Sequence, residues 1–261
     1  MSGIPFLTLM SALGLSLTLM CATWLVGRRV RNYGIVDAVW SFAFAGVAVI
    51  YAVQEPGWLL RRVAVSLLVT LWSLRLGVHL LRRVIAHHPE EDRRYAELRV
   101  RWGERADRRM FGFFLMQGLS VVLLSLPFLL AAGDPLPGFR DREWIAVVFG
   151  LLAVFGEGVA DHQLRRSKAA GELVCRRGLW AWSRHPNYFF EWLVWVAFAG
   201  FASAAPYGWL AWAAPVLMLH FLVNVTGIPL TEELSVRRKG EAYREYQRTT
   251  SAFVPWFGKE T

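Results

Sequence analysis

The sequence predicts an all-α integral membrane protein, a bundle of about seven transmembrane helices with the N-terminus outside and the C-terminus in the cytoplasm. Of its 261 residues, 55% are hydrophobic and 13 are Trp, and the mean hydropathy is +0.35. Charged residues make up 19% of the chain, whereas a soluble domain carries roughly 25%. Long apolar runs separated by charged segments therefore determine the predicted fold class.

The apolar runs approach the roughly 20 residues that a helix needs to cross the hydrocarbon core. The stretches at 81–110 and 227–261 are too charged to span, and we expect the first of them to become helical near Pro89, a residue favoured in a first helical turn. No linker or repeat divides the chain, so residues 1–261 are expected to form one membrane-embedded domain. The predicted spans are 5–26, 35–53, 58–80, 111–133, 143–163, 188–204 and 208–226.

Basic residues set the predicted orientation. The first apolar run lacks the positive start of a secretory signal, so we interpret it as a retained helix. The positive-inside rule then puts the Lys- and Arg-rich loops in the cytoplasm, beneath an inner (plasma) membrane. Because the net charge of +9 follows alternate loops, the sequence indicates contact with lipid and no nucleic-acid partner. These loops are 28–31, 82–109, 165–184 and 237–259.

The fifth predicted span ends in acids that are followed by bases. Glu157 and Asp161 are four residues apart and share a helix face, and Arg165 and Lys168 come after them. One interpretation is an ion-paired helix end with snorkelling bases. The other is a site whose carboxylates accept hydrogen bonds from a ligand while the cations hold phosphate. Cys21 and Cys175 lie in different environments, and neither a disulfide nor a metal site is predicted.

The segment from Arg177 to Glu191 carries the strongest functional signal. Its arginines offer bidentate donors for phosphate oxygens, and its aromatic rings can stack on a planar ligand. Asn187 offers both a donor and an acceptor, and Glu191 lies one turn further along an apolar helix. An interfacial belt would explain the Trp and Arg residues but not Asn187 and Glu191. The other residues concerned are Arg176, Trp180, Trp182, Arg184, His185 and Tyr188.

Two further groups of polar residues are candidates for function, one in the C-terminal tail and one within the predicted spans. The tail from Glu232 to Arg248 alternates acids and bases at helical spacing and either forms a solvated face or closes over a cytoplasmic pocket. Within the spans, Asp37 and Arg75 are a plausible buried pair, because an isolated charge in hydrocarbon costs several kcal/mol. That pair is either structural or a source of protons.

At these residues the chain resembles the bacterial DUF1295 proteins of the steroid 5-alpha-reductase-like superfamily. The resemblance rests on the motif Arg184-His185-Pro186-Asn187-Tyr188, on Glu91-Asp92-Arg93-Arg94-Tyr95, and on Glu232-Glu233 with Phe253-Val254-Pro255-Trp256. It implies a seven-helix membrane fold with NADPH in a pocket that opens to the cytoplasm. Isoprenylcysteine carboxyl methyltransferases share the first motif in weakened form.

The resemblance also implies roles for particular residues. Asp161 and Lys168 match the cofactor-gripping pair of the reductases, Asn187 and Glu191 match their nicotinamide-binding pair, and Glu233 matches their nucleotide-wrapping tail. Asp37 and Trp40 stand where those enzymes carry a Gln-Glu pair facing the substrate, and Trp72 is nearest to their tyrosine. The cofactor-binding candidates are Asp161, Arg165, Lys168, Arg177, Trp180, Arg184, His185, Asn187, Tyr188, Glu191, Glu233, Arg237 and Tyr246.

These observations predict an integral-membrane, NADPH-dependent reductase of a carbon–carbon double bond in a lipid or steroid-like substrate. Asp37, Tyr188 and Glu191 are the candidate catalytic residues, and Trp40, Trp72 and Arg75 are the candidate substrate-binding residues. The alternative enzyme is an S-adenosylmethionine-dependent methyltransferase of a membrane-embedded isoprenyl or lipid acceptor. A non-catalytic lipid-binding or transport protein is the third hypothesis.

Overall fold

The computed structural model describes residues 6–225 and 227–256, and this part of the chain is helical without a β-strand. Short 3₁₀ segments at Gly103–Arg105, Gly178–Ala181 and Gly208–Trp212 and a π-helical turn at Phe221–Val225 join the α-helices. The α-helices are α1 (Phe6–Val30), α2 (Ile35–Gln54), α3 (Leu59–His87), α4 (Arg93–Trp102), α5 (Ala106–Leu124), α6 (Leu126–Gly133), α7 (Asp141–Ala169), α8 (Pro186–Ala202), α9 (Ala213–His220), α10 (Ile228–Lys239) and α11 (Glu241–Thr249).

Six stretches of the described residues are long and apolar enough to cross a membrane. The predicted span at 188–204 corresponds to α8, which has 17 residues, slightly fewer than a spanning helix usually needs. The prediction of an all-α, multi-pass membrane protein is therefore confirmed, while the orientation of its termini stays a prediction. The six stretches are Phe6–Val30, Ile35–Gln54, Leu59–His87, Arg93–Gly133, Asp141–Ala169 and Gly208–Lys239.

Several helices extend past the predicted spans. Helix α3 continues to His87 and α7 to Ala169, because charged turns can continue the backbone hydrogen bonds beyond the apolar part of a helix. The single span predicted at 111–133 is two helices with Ser125 between them, and Pro127 lies in the first turn of the second. Proline lacks an N–H group, which favours this break. The predicted limits at residues 5 and 226, and the tail at 257–261, lie outside the described residues.

The chain divides into two compact units, and the expectation of one membrane-embedded domain stays a prediction. The first comprises Met1–Glu143 and Phe201–Ala214, and the second comprises Trp144–Gly200 and Pro215–Thr261. In the first unit α2 packs against both α1 and α3, and α1 packs against α5. Gly77 allows α3 to approach α2, since a Cβ atom there would lie 2.4 Å from the ring of Phe42.

A buried arginine organises the connection between α6 and α7 in the first unit. Arg61 is 1% exposed, and its Nε donates to Glu143 Oε1 at 2.5 Å. Its terminal nitrogens donate to the backbone carbonyls of Asp134, Leu136 and Gly138. A buried charge is tolerated only when it is paired and hydrogen-bonded, and these contacts meet that requirement.

The charged excursion at 81–110 is a folded part of the first unit. Its helix α4 begins at Arg93 rather than near Pro89, because Asp92 provides the N-cap by accepting a hydrogen bond from the Arg94 backbone N–H. Tyr33 fixes this region to the start of α2, since its N–H donates to Glu91 Oε1 at 2.8 Å and its hydroxyl donates to Asp107 at 2.8 Å.

Candidate functional site

The candidate site of the second unit is built where α7 meets α8. Asn187 Nδ2 lies 3.4 Å from Asp161 Oδ1, and the ring of Phe190 rests on Gly156 so closely that a Cβ atom there would lie 2.4 Å from it. These contacts pair a later residue of α7 with an earlier residue of α8, so the two helices are antiparallel. The close contact with the Phe190 ring explains why glycine is needed at position 156.

Buried carboxylates cluster at this helix pair. Glu157, Asp161 and Glu191 are each no more than 6% exposed, and the antiparallel packing puts Glu157 and Glu191 one turn further from the connecting loop than Asp161 and Asn187. The Trp195 indole donates to Glu191 Oε1 at 2.9 Å. Carboxylates are seldom buried without partners, so such a concentration favours a site that binds hydrogen-bond donors.

A buried amide oxygen lies beside these carboxylates. The Oδ1 atom of Asn187 is buried and accepts no hydrogen bond from the described residues. An unsatisfied buried acceptor costs about 1–3 kcal/mol, and each such atom in a folded protein needs an explanation. A ligand with an N–H or O–H group would satisfy it. The amide of Asn187 therefore has an acceptor available for a ligand, as the sequence suggested.

The loop between α7 and α8 is fixed to α7 by buried contacts. The indole of Trp180 donates to the Ala160 carbonyl at 2.9 Å, and the Gln163 side chain accepts a hydrogen bond from the Leu179 N–H at 3.0 Å. Gly178 adopts φ +60°, and a Cβ atom at this position would lie 2.5 Å from the Gln163 amide nitrogen. Trp180 is 6% exposed and packs within the protein, and its predicted stacking on a cofactor stays a prediction.

Arg184 joins this loop to the C-terminal helices. Its Nε donates to Glu232 Oε1 at 2.6 Å and its Nη2 donates to Glu232 Oε2 at 3.2 Å. Its Nη1 donates to the carbonyls of Gln247, at 2.9 Å, and Thr250. All three guanidinium nitrogens therefore have protein acceptors. The partners of Arg184 in the structure are a carboxylate and two carbonyl groups, and its predicted contact with phosphate stays a prediction.

His185 belongs to the same group of contacts, which we name the tail latch: Arg184, His185, Glu232 and Gln247. Burial lowers the pKa of His185 more than the neighbouring Glu232 raises it, so the ring is neutral near pH 7. Its Nε2 lies 3.2 Å from Glu232 Oε1, and only a protonated Nε2 can donate to a carboxylate. The His185 ring stacks on Tyr188, with centroids 5.3 Å apart. The rings of these two residues, both predicted to bind the cofactor, therefore contact each other.

The rest of the tail pairs with the same loop. The Tyr246 hydroxyl donates to the carbonyls of Trp180 and Ser183, at 2.5 and 3.2 Å. Burial is the main cause that raises the pKa of this hydroxyl, and Tyr246 is 2% exposed. The Ser183 hydroxyl donates to the Phe253 carbonyl at 2.8 Å. Tyr246 thus holds the tail against the loop, whereas the sequence assigned it to the cofactor.

The remaining cationic candidates are at the surface of the second unit. Arg165 and Lys168 are exposed at the end of α7, and Lys168 lies close enough to Lys239 for their charges to repel each other, as does Arg238. Arg177 is 84% exposed and pairs with Glu172 at 2.9 Å. Arg237 pairs with Glu233 one turn earlier on α10. The ends of α7 and α10 therefore bring basic residues together.

A family model matches most of the chain. The model for the protein of unknown function DUF1295 covers residues 23–250. The chain belongs to the DUF1295 family. An uncharacterized protein of the fission yeast Schizosaccharomyces pombe is 27% identical over 273 residues, which cover 92% of this chain and 78% of that protein. No solved structure matches. The family assignment made from the motifs is thus confirmed, and it leaves the activity open.

In this DUF1295 protein Asp37 belongs to the first unit and has different partners from those expected. Its Oδ1 accepts a hydrogen bond from the Tyr95 hydroxyl at 2.6 Å, and its Oδ2 accepts one from Arg94. Arg83 lies 3.6 Å from the same carboxylate. The sequence paired Asp37 with Arg75; the structure pairs it with the excursion instead, because α4 folds back onto the start of α2.

Asp92 completes this charged cluster. It accepts hydrogen bonds from Arg83 at 2.7 Å and from the side chain and backbone of Arg94. Burial raises the pKa of the Asp92 carboxyl, but the Arg94 and Arg83 cations outweigh burial and lower the pKa to about 2. The cluster of two carboxylates and two guanidinium groups therefore fixes α4 to α2 and α3 in its charged form.

The predicted substrate residues of the DUF1295 chain share a packing partner. Trp40 and Trp72 both contact the ring of Phe44, with centroids 4.7 and 5.4 Å away. Trp40 donates to the Ser120 hydroxyl at 3.0 Å, and Trp72 is fully buried. Arg75 lies on α3, three residues after Trp72. Trp72 is therefore a core residue, while Trp40 remains half-buried.

The sequence assigned no contact to three residues that shape these regions: Gln163, Gln247 and Tyr95. Gln163 supports the loop before α8, Gln247 donates to Glu232 Oε2 at 2.8 Å, and Tyr95 donates to Asp37. The two glutamines lie in polar helical segments where solvent exposure is the ordinary expectation. Only the folding of the loop and of α4 onto other helices gives these side chains their partners.

Proposed function

We propose that this DUF1295 protein is an integral-membrane, NADPH-dependent reductase that saturates a carbon–carbon double bond of a lipid. The observation that carries the proposal is the buried, unpartnered Asn187 Oδ1 beside Asp161 at the meeting of α7 and α8. The nicotinamide ring carries a carboxamide, whose N–H₂ group is a donor of the kind that this acceptor lacks. The family resemblance stated from the motifs supports the same assignment.

The other residues of the second unit fit a dinucleotide with several phosphate groups. Lys168 at the end of α7 and Arg238 and Lys239 at the end of α10 provide positive charge. Lys168 and Arg238 each repel the Lys239 ammonium group, and an anion between them would relieve this repulsion. The tail latch keeps α10 and α11 attached to the loop before α8. In this proposal Arg184 positions the basic end of α10 and does not itself contact the cofactor.

Bound NADPH would supply a hydride for an electron-poor carbon of the lipid. The chain would bind and orient the nicotinamide through Asn187 and exclude water by the packing of Phe190 on Gly156. A proton must also reach the lipid, and Tyr188 and Glu191 of the same unit are the proposed sources. General acid catalysis requires the acid to lie within hydrogen-bond reach of the atom that it protonates, so substitution of each one separately would identify the donor.

The test is the thermal stability of the purified full chain in detergent. NADPH at about 100 times its Kd should raise the free energy of unfolding by about 2.7 kcal/mol, which corresponds to roughly 5–10 °C. In Asn187→Ala the shift should shrink strongly, while the ligand-free melting temperature changes little because the one lost bond is 3.4 Å long. Arg101→Ala, an exposed arginine paired with Glu97, is the control. An unchanged shift in Asn187→Ala would contradict the assignment.

One observation favours the methyltransferase alternative. Glu157, Asp161 and Glu191 bring three buried carboxylates to one helix pair, and carboxylates suit the sulfonium and ammonium cations of S-adenosylmethionine. The same melting assay separates the two functions. Stabilisation by S-adenosylmethionine and none by NADPH would replace the reductase proposal with this one. NADH, which lacks the extra phosphate, should stabilise less than NADPH if Lys168, Arg238 and Lys239 hold that group.

A further inference from the structure

A polar pair lies exposed on an apolar segment of the second unit. His220 is the last residue of α9, and Asn224 follows one turn later in the π-helical turn Phe221–Val225. The Nδ2 atom of Asn224 lies 3.3 Å from Nδ1 of His220, and both residues are exposed. The flanking Val216 and Val225 are 67% and 49% exposed. Polar groups on such a segment are costly and mark functional positions.

The backbone at this pair is also unusual. A π-helical turn widens the helix by one residue, and such turns are frequent at functional sites. The segment Gly208–Lys239 containing the pair is one of the candidate membrane spans, and Gly227 precedes the charged helix α10. His220 precedes Gly227 by seven residues and Asn224 precedes it by three. The pair therefore lies in the last part of the apolar stretch, before the charged helix α10.

The chemistry of the pair selects its ligand. The amide nitrogen of Asn224 can only donate, so Nδ1 of His220 accepts this hydrogen bond and the neutral imidazole carries its proton on Nε2. The pair then keeps two donors, Nε2–H of His220 and the second N–H of Asn224, and one acceptor, Oδ1 of Asn224; these have no protein partner among residues 6–225 and 227–256. A hydroxyl group both donates and accepts one hydrogen bond. The pair thus complements an alcohol better than an ester carbonyl, which can only accept.

We propose that His220 and Asn224 bind the free hydroxyl group of a membrane lipid. The neighbours of the pair favour a lipid over a second copy of the chain, because closely packed membrane helices meet through small residues and here the exposed neighbours are Val216 and Val225. This site is separate from the proposed cofactor cluster of Asn187 and Asp161. It goes beyond the reductase function and stands even if that function is not found.

The test compares dioleoylglycerol with its acetate ester, in which the hydroxyl is blocked. Native mass spectrometry of the purified full chain measures how much of each lipid is bound. The hydrogen bond that only the hydroxyl can donate should favour the alcohol by about fivefold, and His220→Leu with Asn224→Leu should abolish this preference. Val216→Ala, on the same exposed face, should retain it. His220→Gln, which keeps a donor and an acceptor, should retain part of it.

Three outcomes would overturn the inference. The first is equal binding of the two lipids by the unaltered chain, and the second is a preference that persists in the double variant. The third is a change in oligomeric state on substitution of the pair without any lipid preference, which would assign the face to a second copy. Melting temperatures confirm that each variant is folded. NADPH stabilisation, measured on the same samples, reports separately on the proposed function.

Discussion

Arg184 gives the sharpest test of how the second unit is held together. Its side chain binds both carboxylate oxygens of Glu232 and the carbonyls of Gln247 and Thr250, and it is 9% exposed. Removing one partner of a buried ion pair costs about 3–5 kcal/mol, and Glu232 would lose its charged partner while keeping only the hydrogen bonds from His185 and Gln247. Arg184→Met should therefore destabilise the chain by this amount. Lysine cannot reproduce the bidentate geometry, so Arg184→Lys should lose most of the same stabilising free energy.

Melting of the detergent-solubilised chain measures this loss directly. A change of 1 kcal/mol corresponds to about 2–4 °C for a chain of this size, so the melting temperature should fall by roughly 6–20 °C. In limited proteolysis, α10 and α11 of the variant should then be cut faster than the same helices of the unaltered chain. Arg177→Ala removes an 84% exposed arginine paired with Glu172 and should change stability by less than about 1 kcal/mol. Equal small effects of both substitutions would refute the tail latch.

Two further perturbations follow from the loop and the excursion. The pKa of Asp92 is lowered to about 2 in the folded chain, so this carboxylate contributes about 2 kcal/mol to the free energy of unfolding. The contribution is present above about pH 4 and is lost as the pH falls towards 2. Asp92→Asn should flatten this part of the pH profile of stability, measured by urea unfolding, and an unchanged profile would contradict the contribution. Gly171→Ala, with φ +75° and open space around it, should pay only the backbone cost of about 1–2 kcal/mol. Gly178→Ala has a similar φ of +60° and its new Cβ would also meet Gln163, so it should cost roughly 1–3 kcal/mol more. Equal falls in the melting temperature of the two variants would show that the contact with Gln163 adds no cost at position 178.

The sequence was sufficient for the spans because apolar runs report directly on the hydrocarbon core. It could not reveal where charged turns continue a helix, as α3 does to His87. The break at Ser125 was also missed, although Pro127 in an apolar run was a signal for it. Composition alone treats 111–133 as one span, since both halves are equally apolar.

The site could be predicted only in part, because side-chain type does not specify the partner. Asn187 and Glu191 were found from polar residues at the start of an apolar helix, and the structure brings Asn187 beside Asp161. Arg184 was assigned to phosphate, yet a guanidinium group suits a carboxylate equally well. Its partner Glu232 lies 48 residues away. No local pattern reports how the tail folds back.

Hydride transfer to a lipid is the most direct test of the central proposal. Membranes that contain the chain should be incubated with NADPH deuterated at nicotinamide C4, and the extracted lipids compared with those from membranes that lack it. The account predicts lipids that gain one deuterium and one proton at a former double bond, and far less gain with Asn187→Ala. Lipids without deuterium, or lipids that gain a methyl group from S-adenosylmethionine, would contradict it.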